Sequence, residues 1–224
     1  MNKYMGFYEL KALNVPTVPW KLFSPETVLD EGTLWTVRVA TEGGDDLNLP
    51  RAVGVDHEEA WRSGMSFFEE YRNKGVVIYY PYFFAEKSGV LDINSQRTVI
   101  EAVEKDLWNL VTYGRKNVTV IIPSDSRNDL SWKSPNISLC SMKQPESGPI
   151  CDISVSGDAS FLAQEEIKEL MRCGAVIRGR FRDDISEGSS ILAEWSYAYN
   201  SSLQREPIGS RYLVFYELRE IQSF

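Results

Sequence analysis

The sequence predicts a fold that mixes helix and strand, α/β or α+β, and three observations carry that expectation. The run Leu34-Trp35-Thr36-Val37-Arg38-Val39-Ala40 is rich in β-branched residues and alternates, with Thr36, Arg38 and Ala40 on one face and Trp35, Val37 and Val39 on the other. From His57 to Asn73, Trp61, Met65 and Phe68 recur at helical spacing, opposite Glu59, Arg62, Ser66 and Glu70. Strand-like and helix-like stretches follow one another irregularly and without internal repeat, a pattern that favours a mixed architecture over a barrel or a bundle.

The elements are expected in the following order. A first helix ends near Leu13, and the Pro-punctuated segment Val15-Pro16-Thr17-Val18-Pro19 is extended, because the residue before each proline is pushed away from helix. The strand over 34–40 runs into a turn at Gly43-Gly44-Asp45-Asp46. Asp56 is the expected N-cap of the 57–73 helix, with Glu59 at the capping-box spacing, and Lys74-Gly75 closes it. Gly75 to Phe84 reads as an aromatic strand interrupted by Pro81. Ser88-Gly89 opens a short strand around Val90–Ile93, and Thr98-Val99-Ile100 leads into a helix near Ala102–Leu110. Val118–Ile122 is another strand. Residues 124–157, rich in Ser, Pro, Asn, Asp and Gly, read as an irregular loop or lid. Asp158 then caps a helix from about Ser160 to Arg172 that ends at Gly174, and strands around Ala175–Phe181, Ser190–Ala198 and Arg211–Ile221 complete the chain.

With 224 residues, 43% apolar and 25% charged, the chain is long enough to bury a core without a disulfide or metal staple. Its 24 basic and 32 acidic residues leave a formal charge of −8, against the basic footprint that nucleic-acid binding requires. No apolar stretch approaches the roughly 20 residues that span a bilayer. The N-terminal residues do not read as a signal peptide, so a cytoplasmic location is expected and the sequons at Asn117, Asn136 and Asn200 carry no weight. Cys140, Cys151 and Cys173 are odd in number, lack zinc spacing and are expected as thiols in a reducing compartment.

Most familiar chemistries fail at this point. The single histidine, His57, sits between Asp56 and Glu58 in the first turn of a helix, where a solvated role is expected. Neither a P-loop nor a GxGxxG motif occurs. Asp45-Asp46 and Asp183-Asp184 read as solvated turn residues. Trp20, Trp35, Trp61, Trp108 and Trp195 read as core or staple residues, as does the aromatic stretch Tyr79–Phe84, which has base stacking as its rarer alternative. What remains is a set of charged residues in otherwise apolar strands: Arg38, Glu194, Glu217 and Arg219. Each either faces water or converges with the others.

Taken in order, these motifs resemble the ATP-grasp-like nucleotide-binding domain of phosphoenolpyruvate synthase and pyruvate phosphate dikinase. Lys3, six residues before Glu9, followed by Val15-Pro16-Thr17-Val18-Pro19, is similar to the family's Gly-Gly-Lys…Glu opening and Pro-Val-Pro segment. Trp35-Thr36-Val37-Arg38-Val39 resembles its Val-Arg-Ser strand, and Lys87-Ser88-Gly89-Val90 its central Ser-Gly-Val turn. Thr98–Ala102 resembles the approach to the family's Gly-Leu-Gly-Glu, Ala193-Glu194-Trp195 its Asp-Ile-Glu-Trp strand, and Tyr216-Glu217-Leu218-Arg219 its closing Leu-Gln-x-Arg-Pro strand. The likeness spans nearly the whole chain.

It implies a single ATP-grasp-like unit over 1–224, with two lobes, mixed or antiparallel sheets and flanking helices. It implies Mg-ATP binding for phosphoryl transfer or ATP-dependent ligation, with a separate phosphohistidine or other acceptor protein or domain. Lys3, Arg38 and Arg219 would contact phosphates, for which the guanidinium fork is suited. Glu194 and Glu217 would be Mg²⁺ ligands. Tyr80, within a wall formed by Tyr79 to Tyr82, would face the adenine, and Arg38, Glu194 and Arg219 would carry the catalysis. The chain departs from the pattern in several places. Met1-Asn2 stands for two glycines, Leu192 for a metal-linked Asp, Glu217 for Gln and Glu220 for Pro, and Val103-Glu104-Lys105-Asp106 replaces a glycine-rich turn. The family's phosphohistidine domain and barrel have no counterpart in the sequence, so a complete dikinase reaction is not expected within it. The alternative is a degenerate, non-catalytic binding or assembly module, with Glu217 paired to Arg219 or Arg38.

Overall fold

The structure is a computed structural model that describes residues 1–41, 43, 49–108, 110, 114–124 and 153–222. It is α+β, with two antiparallel sheets and a few helices. The strands are β1 (Lys21–Leu22), β2 (Trp35–Thr41), β3 (Arg51–Val55), β4 (Gly75–Pro81), β5 (Phe83–Ile93), β6 (Arg97–Glu104), β7 (Val118–Pro123), β8 (Ser154–Gly157), β9 (Ser189–Ser201) and β10 (Pro207–Gln222). Four helices have bounds within the described residues, α1 (Lys3–Ala12), α2 (His57–Tyr71), α3 (Gln164–Arg180) and the short α4 (Arg182–Ser186), and Trp108 and Leu110 are helical too. Sheet orders are β1-β4-β2-β3 and β10-β9-β5-β6-β7-β8. The chain forms two compact units, Met1–Lys87 with Ala193–Arg219 and Ser88–Leu192 with Glu220–Phe224; β5, β9 and β10 each contribute residues to both.

In the first unit, α2 begins as its cap residue dictates, the Asp56 carboxylate accepting from the Glu59 N–H at 2.8 Å. Its inner face packs on the apolar side of β2 and β4. Val37, Val39 and Val77 form a core there with Phe23, Leu29 and Ala60, and Met65, Phe67 and Phe68 lie against it. The helix approaches so closely at Gly64 that a β-carbon would stand 2.4 Å from the Phe23 ring. Helix α1 starts with the Asn2 side chain accepting from the Met5 N–H at 2.9 Å and buries Gly6, Phe7 and Leu10. The extended segment after it runs beside β10, with Val18 N–H donating to the Phe215 carbonyl at 3.1 Å and Phe215 N–H to the Pro16 carbonyl at 2.9 Å.

In the second unit, β6 pairs with β7 from Arg97 opposite Pro123 to Ala102 opposite Val118, and β7 pairs with β8. Leu170, Cys173, Gly174 and Ile177 form the buried side of α3. Arg178 ties that helix to the β5–β6 turn, donating to the Asn94 carbonyl at 2.7 Å and to Thr98 Oγ1 at 3.0 Å.

Several elements differ from expectation. Ala175–Phe181 is not strand: α3 continues through Gly174 to Arg180, with Phe181 as its C-cap. That glycine does not end the helix; it lets α3 approach β5, where a β-carbon would meet Leu91 Cδ2 at 3.2 Å. The same helix starts at Gln164, with Glu166 accepting from the Ala163 N–H at 2.7 Å. Asp158 instead closes a turn onto Ser160, accepting from its N–H at 2.9 Å and its hydroxyl at 2.6 Å. Ala102–Glu104 belongs to strand β6, where pairing with β7 extends the ladder until Lys105 leaves it at φ +62°. Lys87-Ser88-Gly89-Val90 lies inside β5 and is not a turn. Trp61 and Trp108 are 41% and 45% exposed and so are not core residues, whereas Trp20 and Trp195 are buried. The turn residues Gly44, Asp45 and Asp46, most of the 124–157 loop or lid, Cys140 and Cys151 lie outside the described residues. No helix among those described is long and apolar enough to cross a membrane.

Candidate functional site

Four segments of the first unit bring their charged side chains to one place. Lys3 stands in the first turn of α1, on the same side as Phe7 and Leu10 by the i, i+4, i+7 spacing, so the face that buries those apolar residues also turns Lys3 inward. A lysine at this end of a helix opposes the macrodipole and adds to its positive end. Arg38 projects from β2 on the face opposite the Val37 and Val39 core, its guanidinium 5.5 Å from the centre of the Phe7 ring. Glu194 comes from β9. Glu217 and Arg219 come from successive same-face positions of β10, on the buried side of Leu213 and Phe215.

Glu217 is the centre of the cluster. Arg38 Nη2 donates to its Oε2 at 2.6 Å, Lys3 Nζ lies 3.4 Å from its Oε1, and Arg219 Nε lies 3.9 Å from the same oxygen. Arg219 Nη2 also stands 3.6 Å from Glu194 Oε1. The Glu217 side chain is 3% exposed. Its Oε1 and Arg219 Nε are both buried without a hydrogen-bond partner. These are unused acceptor and donor sites within ion-pair distance of opposite charges.

The electrostatics split the two carboxyl groups. Burial alone would raise Glu217, but Arg38, Lys3 and Arg219 outweigh it and hold that carboxylate below its ordinary value. Burial, reinforced by the charge on Glu217, pushes Glu194 up to about 7, against the opposing pull of Arg38, Arg219 and Lys3. Burial would lower Arg38, yet Glu217 keeps it firmly charged. Tyr80, buried on β4, is raised by burial although the Arg38 charge opposes the shift. Three cations thus face one firmly ionised carboxylate and one that titrates near neutrality.

The Glu194 shift makes a stability prediction. Its folded value of about 7 lies above the ordinary 4.5, so between these limits the folded state holds more protons than the unfolded state. Its contribution is therefore full below about pH 4.5 and is lost as the pH rises through about 7. Glu194→Gln, which imitates the protonated acid, should flatten the decline in melting temperature between pH 5 and pH 8 and melt above the wild type at pH 8. Parallel melting curves for the two proteins across that range would contradict the assignment.

All the strand and helix charges singled out in the sequence, Lys3, Arg38, Glu194, Glu217 and Arg219, therefore meet. Tyr80 joins them, since Thr36 lies opposite Tyr80 and Arg38 opposite Ile78 in the β2–β4 register, which places Tyr80 on the Arg38 face. The expected wall from Tyr79 to Tyr82 is split by that same alternation. Tyr79 turns to the other side and packs edge-on against Trp35 at 5.6 Å and Phe23 at 6.3 Å, while Tyr80 stacks at 6.5 Å with Phe83. Two supporting residues were not anticipated. Phe7 underlies Arg38, and Gly6 seats α1 so that a β-carbon would fall 1.8 Å from the Leu218 carbonyl oxygen. The only sequence signal for either was the helical spacing from Lys3 to Phe7 and the lone glycine in the first helix.

The remaining candidates stay peripheral. His57 is the first residue of α2. Asp183 and Asp184 lie in the first turn of α4, Asp183 in an exposed pair with Arg182. The buried Cys173 thiol is pushed up to about 11 by burial, with Glu169 adding to the shift, which makes it a poor nucleophile. Among the described residues no group of three or more His, Cys, Asp and Glu is arranged to hold a metal ion. A cation at the Glu194–Glu217 pair would thus rest on two carboxylates and on oxygens brought by a ligand, the mode magnesium commonly uses with phosphates. Glu217 Oε1, which accepts no hydrogen bond although Lys3 stands 3.4 Å away, fits that role. No family model matches the chain, and no curated protein matches it.

Proposed function

We propose that the chain is an ATP-grasp-like, Mg-ATP-binding domain acting in phosphoryl transfer or ATP-dependent ligation, with the acceptor on a separate domain or protein. The observation that carries this reading is the convergence of Lys3, Arg38 and Arg219 on Glu194 and Glu217 from α1, β2, β9 and β10. ATP brings about four negative charges to an acidic protein, so binding needs a local excess of cations, and these three supply it. Arg38 and Arg219 would grip phosphate oxygens with their planar forks, and Lys3 would add a point charge. Tyr80, beside Arg38, would flank the nucleotide. Glu194 and Glu217 would hold Mg²⁺, which supplies neutralisation of the phosphate oxygens as charge redistributes. Because phosphoryl transfer is chiefly positioning and charge stabilisation, the cluster needs no histidine or other strong base.

A second reading has its own support. The 2.6 Å Arg38–Glu217 contact is a closed, buried pair, and such a pair suits a non-catalytic binding or assembly module that keeps the architecture. Calorimetric titration of the purified chain with ATP and with ADP, each with and without Mg²⁺, separates the two. Magnesium-dependent nucleotide binding is the expected result. Absence of heat and of thermal stabilisation at millimolar nucleotide would remove the ATP reading in favour of the module.

A further inference from the structure

The cations a phosphate chain would use are the cations that Glu217 already holds. Its carboxylate lies within ion-pair distance of Lys3, Arg38 and Arg219 together, at 3.4, 2.6 and 3.9 Å. An arriving anion must therefore share or take over those charges, and must do so beside the carboxylate that already pairs with them. Two anions drawn to one set of cations repel one another, all the more where water is excluded. Glu217 stands where the resembled family has a neutral glutamine, so this competition is a property of this chain's own residue.

We propose that Glu217 is a resident competitor of phosphate that makes the cluster selective for oligophosphates arriving with a divalent cation, and this rests on the nucleotide-binding reading above. A divalent cation held by Glu217 and Glu194 offsets the carboxylate charge and lets Lys3, Arg38 and Arg219 turn to phosphate oxygens. Glu217 Oε1, ion-paired with Lys3 and Arg219 but accepting no hydrogen bond, is the acceptor for it. A metal-free oligophosphate meets the carboxylate uncompensated and is refused. The ligand class is thus a metal-complexed di- or triphosphate, not a free anion.

The test uses the full chain, inorganic tripolyphosphate and ATP, each titrated in EDTA and in Mg²⁺. Wild type should bind either probe far more weakly in EDTA than in Mg²⁺. Glu217→Gln, with folding checked by its melting curve, should bind tripolyphosphate in EDTA at least about tenfold more tightly than wild type does, since a like charge a few ångströms away has been removed. Glu217→Ala, which also removes the charge, should show the same gain in EDTA and stands in should Glu217→Gln not fold. Equal wild-type affinity in EDTA and Mg²⁺, or no gain in EDTA from either Glu217 variant, would overturn the competitor role while leaving nucleotide binding intact. No binding of either probe by any protein in either buffer would overturn both.

Discussion

Gly6→Ala should destabilise the protein by about 3 kcal/mol and lower its melting temperature by roughly 10 °C, a large effect for one methyl group. The obstacle is backbone. The new β-carbon would fall 1.8 Å from the Leu218 carbonyl oxygen, and a main-chain atom in the middle of β10 cannot swing aside as a side chain would. Relief requires α1 to lift from the sheet. That movement would withdraw Phe7 from beneath Arg38 and Lys3 from Glu217, so the cluster should loosen along with the core. Met5→Ala, at a neighbouring position 45% exposed, is the control and should shift stability by less than about 0.5 kcal/mol. Urea unfolding of the three proteins decides the matter. Equal midpoints for Gly6→Ala and wild type would mean that α1 does not rest on β10 as described.

Arg38→Met is the second. It keeps much of the apolar stem but removes the charge that holds Glu217, leaving two buried carboxyl groups with only Lys3 and Arg219. Breaking a buried pair from one side costs about 3–5 kcal/mol, because the surviving charge has lost its compensation. The loss should depend on pH in a defined direction. With Arg38 present, Glu217 titrates below its ordinary value, and its stabilisation is present above that value and lost as the pH falls through the lowered one. Without Arg38, burial dominates and the carboxyl rises, so the variant should recover stability as the acid protonates. Unfolding measured at pH 5 and pH 8 should therefore show the smaller deficit at pH 5. A deficit independent of pH would show that packing on Phe7, not charge, is what Arg38 supplies. The same substitution should abolish Mg-ATP binding if the cluster is a nucleotide site, and should leave calorimetry unchanged if it is only a structural pair.

What the sequence by itself determined is local. The alternation of 34–40, the Asp56 cap, the apolar spacing of the helix that follows it and the last two strands of the chain each depend on neighbours a few residues apart, and all are found in place. Arg38, Glu194, Glu217 and Arg219 stand out for the same reason, because a charged residue in an apolar strand is visible from its immediate surroundings. The tertiary structure decided the rest. Gly174 carries a helix-ending signal that α3 overrides, since the buried series Leu170, Cys173, Gly174 and Ile177 gains more by continuing against β5 than by stopping. Ala102–Glu104 carries helix formers, yet pairing with Val118 and its neighbours draws part of the segment into a strand. Which face Tyr79 and Tyr80 each present depended on a register set by β2. Whether Glu217 would meet Arg38, 179 residues away, or simply face water could not be read from either position. That contact exists because helix, extended segment and strands bury their apolar sides together, and the hydrophobic effect that drives this has no regard for distance along the chain.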